Sequence, residues 1–321
     1  MGVLHTQTVR QPRRCVNGVV LIDKPAGLTS NAVLQRVKRA YRAFKAGHTG
    51  TLDPLASGLL PVCLGEATKF SLGLLDADKS YRAVLHLGVT TETGDREGAV
   101  LKTREVSADR GQIEQVLLEF RGEIMQVPHR YSALKRDGRA LYSYARAGES
   151  VAIAPRRVHV HALNIEHWES PLLAVNIVCS KGTYVRSLGE DIGEALGCGA
   201  HVGALRRLSV GRFGIERAID LEVVESWSEA ERDGALLPVP VLVDSFPVVE
   251  LDDEAAGKFR HGQKIAILPR TGESGGLVAV RRQGSTVQPG TAFLGVARTE
   301  DEGGRWMLVP ARLMANHASA E

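Results

Sequence analysis

Residues 46–58 read Ala-Gly-His-Thr-Gly-Thr-Leu-Asp-Pro-Leu-Ala-Ser-Gly, with three glycines, two threonines, His48 and Asp53 between apolar flanks. Small residues let a backbone come close to a ligand. Asp53 stands before Pro54, which pushes its backbone toward an extended conformation. The same spacing also suits a turn in which Asp53 caps nearby N–H groups. Taken alone, His48 fits a structural or surface histidine as well as a catalytic one. Lys181-Gly-Thr-Tyr-Val-Arg186 is a strand-to-helix junction carrying two cations. Backbone N–H groups at such a helix start can hold a phosphate or a carboxylate. A cation in the first helical turn opposes the helix dipole, and that mild conflict singles out Arg186. Tyr81 opens an alternating segment on its apolar side, where a core or rim tyrosine would also stand. Arg130, Lys135, Arg136 and Arg139 lie near Tyr131, Tyr142 and Tyr144, and Arg206, Arg207, Arg212 and Arg217 follow later. Cations interleaved with aromatics suit a nucleic-acid backbone with stacked bases, or a solvated loop.

Other chemistries find no motif. There is no phosphate-binding loop of the G-x-x-x-x-G-K-[ST] type, no HExxH, no EF-hand loop and no G-x-S-x-G. Gly197-Cys-Gly199 follows a helix and lacks the third glycine of a dinucleotide fingerprint. Cys15, Cys63, Cys179 and Cys198 have neither CxxC nor zinc-ligand spacing, so reduced thiols of a cytoplasmic protein are expected. Neither cofactor nor metal is expected.

The elements that must position these residues mix two periods. Residues 18–22 read as a strand. Ser30 reads as the N-cap of a helix with Val33, Leu34, Val37, Tyr41 and Phe44 on one face. Residues 81–87 alternate, with Tyr81, Ala83, Leu85 and Leu87 on one side and Arg82 and His86 on the other. Residues 172–179 form an apolar strand that runs through Lys181-Gly182 into a helix starting near Thr183 and stopping at Gly197. Hairpin-like pieces outnumber strand–helix alternations, which predicts an α+β body with a largely antiparallel sheet.

The chain has 321 residues, 44% hydrophobic and 24% charged, a globular composition with room for two domains. No apolar run approaches the roughly 18 residues of a membrane helix. The basic N-terminus lacks the apolar core of a secretory signal, and residues 1–15 read as a flexible arm. Charge is uneven: +9 over residues 1–219, −6 over 220–249 and zero beyond. A basic body suggests a polyanionic partner. The acidic stretch holds a short helix, then Leu236-Leu-Pro-Val-Pro240 and a strand-like 241–243. We place a boundary near residue 244, giving a body of 16–244 and a tail of 245–321. The tail reads as short strands near 247–251, 264–267, 277–280, 292–297 and 306–309 separated by glycines, a small β-barrel or sandwich.

Together these pieces resemble a known family, the tRNA pseudouridine(55) synthases of the bacterial TruB type. Five segments carry the likeness: 18–30 (GVVLIDKPAGLTS), 47–58 (GHTGTLDPLASG), 78–82 (DKSYR), 181–188 (KGTYVRSL), and 197–202 with 205–208 (GCGAHV, LRRL). The tail is similar to the family's PUA-like RNA-binding domain. The resemblance implies a cofactor-free isomerase acting on a T-loop uridine of tRNA after the base is flipped out. It implies that Asp53 is an ionised essential carboxylate, serving as nucleophile or base, with Arg186 as its partner. Tyr81 would pack on the uracil and assist loss of the C5 proton. His48 would occupy space vacated in the refolded loop, and Leu205 would line the base pocket. Lys24 and Pro25 would support the active-site loop, and Lys24, with Tyr184 of the matched Lys181 segment, is also counted among the substrate-binding residues. A monomer with no obligatory protein partner is expected. One departure stands out: Pro128-His-Arg-Tyr131 replaces the family's usual Pro-Pro-Met-Tyr-like stretch.

Overall fold

The computed structural model describes residues 12–132, 134–149, 151–267, 275–284 and 292–315. Most of the expected N-terminal arm, residues 1–11, therefore lies outside the described residues, as do Gly272 and Gly290 of the tail. A ten-stranded sheet forms the body. Its main path runs Ile219–Asp220, Gly18–Lys24, Ser57–Leu64, Ala200–Val210, Lys79–Leu87, Leu172–Cys179, Arg156–Glu169, Gly122–Gln126. The short strands Phe213–Gly214 and Ala46–His48 pair off this path. The sheet is mixed and mostly antiparallel. Parallel pairing occurs where Ile219–Asp220 meets Gly18–Lys24, and where Ser57 and Gly58 meet Arg206 and Arg207.

The period-2 pattern in Lys79–Leu87 has the expected result: Ala83, Leu85 and Leu87 are buried and Arg82 is exposed. They join Val175, Ile177 and Leu205 in one core with Val185, Leu188 and Ile192 of the helix Val185–Ala195. The helix Ser30–Ala40 covers other strands with Val33, Leu34 and Val37. Two details differ from the sequence reading. Thr29, not Ser30, is the N-cap, accepting from Ala32 N. Phe44 lies past the helix end and is 56% exposed, so it is not part of the buried face.

The acidic stretch forms two short helices, Leu221–Ser226 and Glu229–Gly234. They fold back on the N-terminal part: Arg36 pairs with Glu225, Arg42 with Glu229, and Arg14 with Glu229 and Asp233. Part of the charge asymmetry is thus neutralised internally. Residues 241–243 are not a strand. Pro238 and Pro240 fix φ and remove donors, and the segment is the 3₁₀ turn Val239–Val243.

The tail is a five-stranded curled sheet ordered Val248–Leu251, Leu277–Arg282, Phe293–Glu302, Arg305–Leu313, Ile265–Ile267. Each strand lies where the sequence predicts one. The helix Asp253–Arg260, capped by Asp252, packs on it and was not anticipated. Ala279, Phe293 and Val296 share a core with Val19, Leu59 and Phe213 of the body, and Phe70 meets Phe293 edge-on at 5.1 Å.

Candidate active site

The loop bearing Asp53 is held from below by the strand Gly18–Lys24 and the turn after it. Lys24 is fully buried, and its ammonium donates to Pro25 O (2.9 Å), Ala56 O (2.6 Å) and Pro54 O (3.4 Å). Burial pushes its pKa down to about 8. Gly27 N–H donates to Pro54 O at 2.7 Å. The Ser30 hydroxyl donates to Leu52 O (2.9 Å) and accepts from Leu52 N (2.8 Å). Five bonds from one short stretch thus fix the backbone on both sides of Asp53. On the far side, Gly58 adopts φ +104° against Arg207, where a Cβ would stand 2.2 Å from the Arg207 carbonyl oxygen.

Arg186 meets Asp53 from the opposite wall. Its Nη2 lies 2.9 Å from Asp53 Oδ2. The guanidinium is buried, and it donates to Thr93 O and Tyr131 O, each at 2.9 Å. Its Nη1 also lies 3.5 Å from Asp95 Oδ2. The helix start is pinned by Gln126: its amide nitrogen donates to Tyr184 O (3.0 Å) and its amide oxygen accepts from Tyr184 N (2.7 Å). The dipole conflict of a first-turn arginine is thereby outweighed, since two carboxylates and two carbonyls receive the charge. Burial raises the Asp53 pKa, Arg186 opposes this, and the nearby Asp95 carboxylate raises it further.

Asp53, Tyr81, Tyr184, Arg186 and Leu205 line one cavity of about 360 Å³. Tyr81 stands opposite Arg207 in register and next to Ala83, which faces Leu205. The sequence-derived residues His48 and Lys24 do not line this cavity. Lys24 lies beneath the loop, its ammonium on the Pro54 and Ala56 carbonyls rather than in the cavity, so it does not stand where a substrate-binding residue would. His48 lies on the strand Ala46–His48, its Nδ1 buried without a hydrogen-bond partner among the described residues. Burial, and to a lesser extent Arg207, lowers its pKa.

Three residues of the site escaped the sequence reading. Asp95 sits in the polar run 91–98, where nothing local distinguishes it from a turn aspartate. Lys79 lines the cavity with its ammonium on Leu75 O (2.7 Å), Leu74 O (3.3 Å) and Ala77 O, and burial lowers its pKa to about 8. Arg207 belongs by sequence to a basic group and to the matched 205–208 segment, without a role of its own. Strand alternation from Leu205 would have placed it on the inner face. The unusual Pro128–Tyr131 stretch lies directly against Arg186. Tyr131 supplies a carbonyl to it, the Tyr131 hydroxyl donates to Glu92 (2.6 Å), and the buried His129 faces Glu190 at 3.5 Å.

Comparison with known proteins is consistent along the chain. Residues 38–185 match the profile of the TruB family pseudouridylate synthase N-terminal domain. Residues 186–244 match the tRNA pseudouridylate synthase B C-terminal domain, and 247–314 the pseudouridine synthase II TruB C-terminal domain. A tRNA pseudouridine synthase B of Burkholderia mallei is 51% identical over 96% of this chain and 97% of that protein. The Burkholderia lata protein of that name is 50% identical over 99% and 96%. In a solved archaeal box H/ACA sRNP Nop10-Cbf5 complex, a chain matches with TM-score 0.70 and 25% identity, over 93% of this chain and 86% of that one. In a Cbf5-Nop10-Gar1 complex the values are 0.68 and 31%, over 88% and 78%.

Proposed function

This chain belongs to the TruB family of pseudouridylate synthases, and we propose that it isomerises uridine 55 in the T-loop of tRNA. As a tRNA pseudouridine synthase it is an isomerase, so the reaction needs no net oxidant or reductant. The observation that carries the reading is the 2.9 Å contact of Asp53 with Arg186 inside a cavity also lined by Tyr81 and Leu205. Its volume falls within the range of ligand sites, roughly 300–1,000 Å³.

The target nucleotide leaves its stack to enter. Its uracil packs between Tyr81 and Leu205. Arg186 keeps the Asp53 carboxylate charged despite burial, and this anion acts as nucleophile or base while the N1–C1′ bond breaks. The detached uracil turns and its C5 bonds to C1′, making N1–C6 a double bond, as Asp53 leaves C1′ if it was the nucleophile or returns the sugar proton if it was the base. Tyr81 then takes the C5 proton. The C5–H electron pair becomes the C5–C6 double bond, the former N1–C6 pair returns to N1, and N1 gains a proton from solvent. The basic body holds the T-arm through phosphates, and the tail, residues 245–321, binds RNA further along. We take residues 16–244 as the catalytic unit, working as a monomer in the cytoplasm.

The test is tritium release from a T-arm transcript labelled at uridine C5. The unaltered protein should release the label stoichiometrically without added cofactor, and Asp53→Asn should release none while still binding RNA. Sequencing the product should place pseudouridine at position 55. Modification elsewhere would overturn the positional assignment, and no release at all would overturn the activity.

A further inference from the structure

Arg207 is a buried cation with no carboxylate partner among the described residues. It is 1% exposed. Its Nε donates to Leu59 O at 2.7 Å and its Nη2 to Gly50 O at 3.2 Å. The head lies against Gly50, where a Cβ would come within 3.5 Å of Nη1. Among the described residues no Asp or Glu stands within ion-pair distance of it, whereas Arg186 in the same cavity has two. Its charge repels two other buried cations, Lys24 and Lys79, and disfavours a charged His48. A buried charge in such surroundings is costly, and an apolar side chain of similar volume would pack there at less expense. The alternation of two antiparallel strands brings the residue directly opposite Tyr81, on the same face. Burial raises the pKa of the Tyr81 phenol, and the Arg207 charge across the strand pair opposes that rise.

We propose that Arg207 is a positioning residue for Tyr81: a fixed cation that balances the negative charge Tyr81 must carry to accept the C5 proton. The inference rests on the reading of Tyr81 given above. A neutral phenol has no basic site strong enough for this step, so Tyr81 first yields its hydroxyl proton to water. The phenolate then takes the proton from C5 and is a phenol again, while N1 is protonated from solvent. The backbone carbonyls of Leu59 and Gly50 hold the guanidinium in place and supply no full negative charge of their own. The full charge is therefore left for the phenolate, against the opposing effect of the Asp53 carboxylate in the same cavity.

The experiment measures single-turnover rates on a T-arm RNA carrying deuterium or hydrogen at the target C5, with RNA affinity and thermal midpoint alongside. Arg207→Gln is expected to slow turnover by about 10²–10⁴-fold and to raise the deuterium isotope effect above that of the unaltered protein, with RNA affinity unchanged. Arg207→Lys, which keeps the charge, should recover much of the rate and show an intermediate isotope effect. It carries the test if the glutamine variant does not fold. A slowed rate with an unchanged isotope effect would make Arg207 merely structural. A loss of RNA affinity matching the loss of rate would make it a substrate contact. Either result overturns the proposal. Tyr81→Phe separates the two readings. Normal turnover in that variant would remove the role of Tyr81 itself, whereas a stalled Tyr81→Phe beside an unchanged isotope effect in Arg207→Gln would remove only the role of Arg207.

Discussion

Asp53 and Asp95 share one guanidinium. Arg186 reaches the first through Nη2 at 2.9 Å and the second through Nη1 at 3.5 Å. The two carboxylates differ in setting. Asp53 lines the cavity, whereas Asp95 is buried behind it, accepting from the Thr93 hydroxyl (2.5 Å) and from Glu97 N (3.0 Å). Asp95 thus holds one end of the guanidinium that pairs with Asp53, and on the proposed mechanism it aims that arginine. Asp95→Asn should lower kcat by about 10²-fold, the scale of a small misplacement in an active site, with KM for tRNA nearly unchanged. A fall in affinity instead would remove the aiming role.

Arg186→Ala should be more severe, because it leaves the buried Asp95 without its cation, at a cost of up to about 3–5 kcal/mol, and strips the half-buried Asp53 of its partner. Asp53 would then be held partly in its neutral form. Turnover should be lost across the neutral pH range, while the protein still binds tRNA in a filter-binding assay.

The acid limb of the pH–rate profile should reflect Asp53. Burial and the Asp95 charge raise its pKa against the pull of Arg186. On the proposed mechanism the reactive species is the carboxylate, which is populated above that pKa. Activity should therefore fall as pH drops through a value higher than the ordinary aspartate pKa of about 3.9. Single-turnover rates between pH 4 and 8 would check this, and a limb at or below the ordinary value would contradict it.

Ser30→Ala removes both bonds to Leu52 and leaves a buried N–H and C=O unsatisfied. A loss of about 1–3 kcal/mol is expected, read as a lower thermal midpoint. Because the bonds hold the residue next to Asp53, kcat should also fall, by more than RNA affinity does.

Gly58→Ala tests the seam between the strands Ser57–Leu64 and Ala200–Val210. At φ +104°, with the Arg207 carbonyl where a Cβ would go, even one methyl group must displace a strand. Loss of soluble protein, or a sharply lower midpoint, is expected. Gly182→Ala has a positive φ of +83° but nothing near its Cβ. It should cost only the backbone strain, about 1–2 kcal/mol.

Affinity for tRNA should decline steeply with salt if phosphate contacts dominate. The slope should be smaller than the raw count of basic residues in the body suggests, because Arg14, Arg36 and Arg42 are already paired with the acidic helices.

What the sequence made legible follows from local physics. Strands such as Leu172–Cys179 declare themselves by burial pattern and bounding residues. The helix after Lys181 declares itself by its apolar spacing. Asp53, Tyr81, Arg186 and Leu205 were legible through their motifs, and they do line one cavity. Asp95 and the pairing of the acidic helices with Arg36 and Arg42 depend on contacts between distant segments, for which no local period exists. Ser30 shows the limit at short range. Its residue type suited a cap, but the hydroxyl is drawn to Leu52 and Thr29 caps in its place. Arg207 was visible as a charge and alternation from Leu205 sets its face, while its place opposite Tyr81 follows from a strand register that only the assembled sheet fixes.

The parallel seam joining Ser57 and Gly58 to Arg206 and Arg207 has a consequence for biosynthesis. On the ribosome, the loop with Asp53 emerges early, yet its neighbouring strand is among the last parts of the sheet to appear. The N-terminal strand likewise waits for Ile219 and for Leu237, whose backbone bonds to Val19. Contacts of such long sequence separation form slowly and late. A nascent chain that has not yet extruded Val210 lacks Leu205, Arg207 and the strand that seats Tyr81. The wall of the cavity is thus complete only once the strand Ala200–Val210 has emerged.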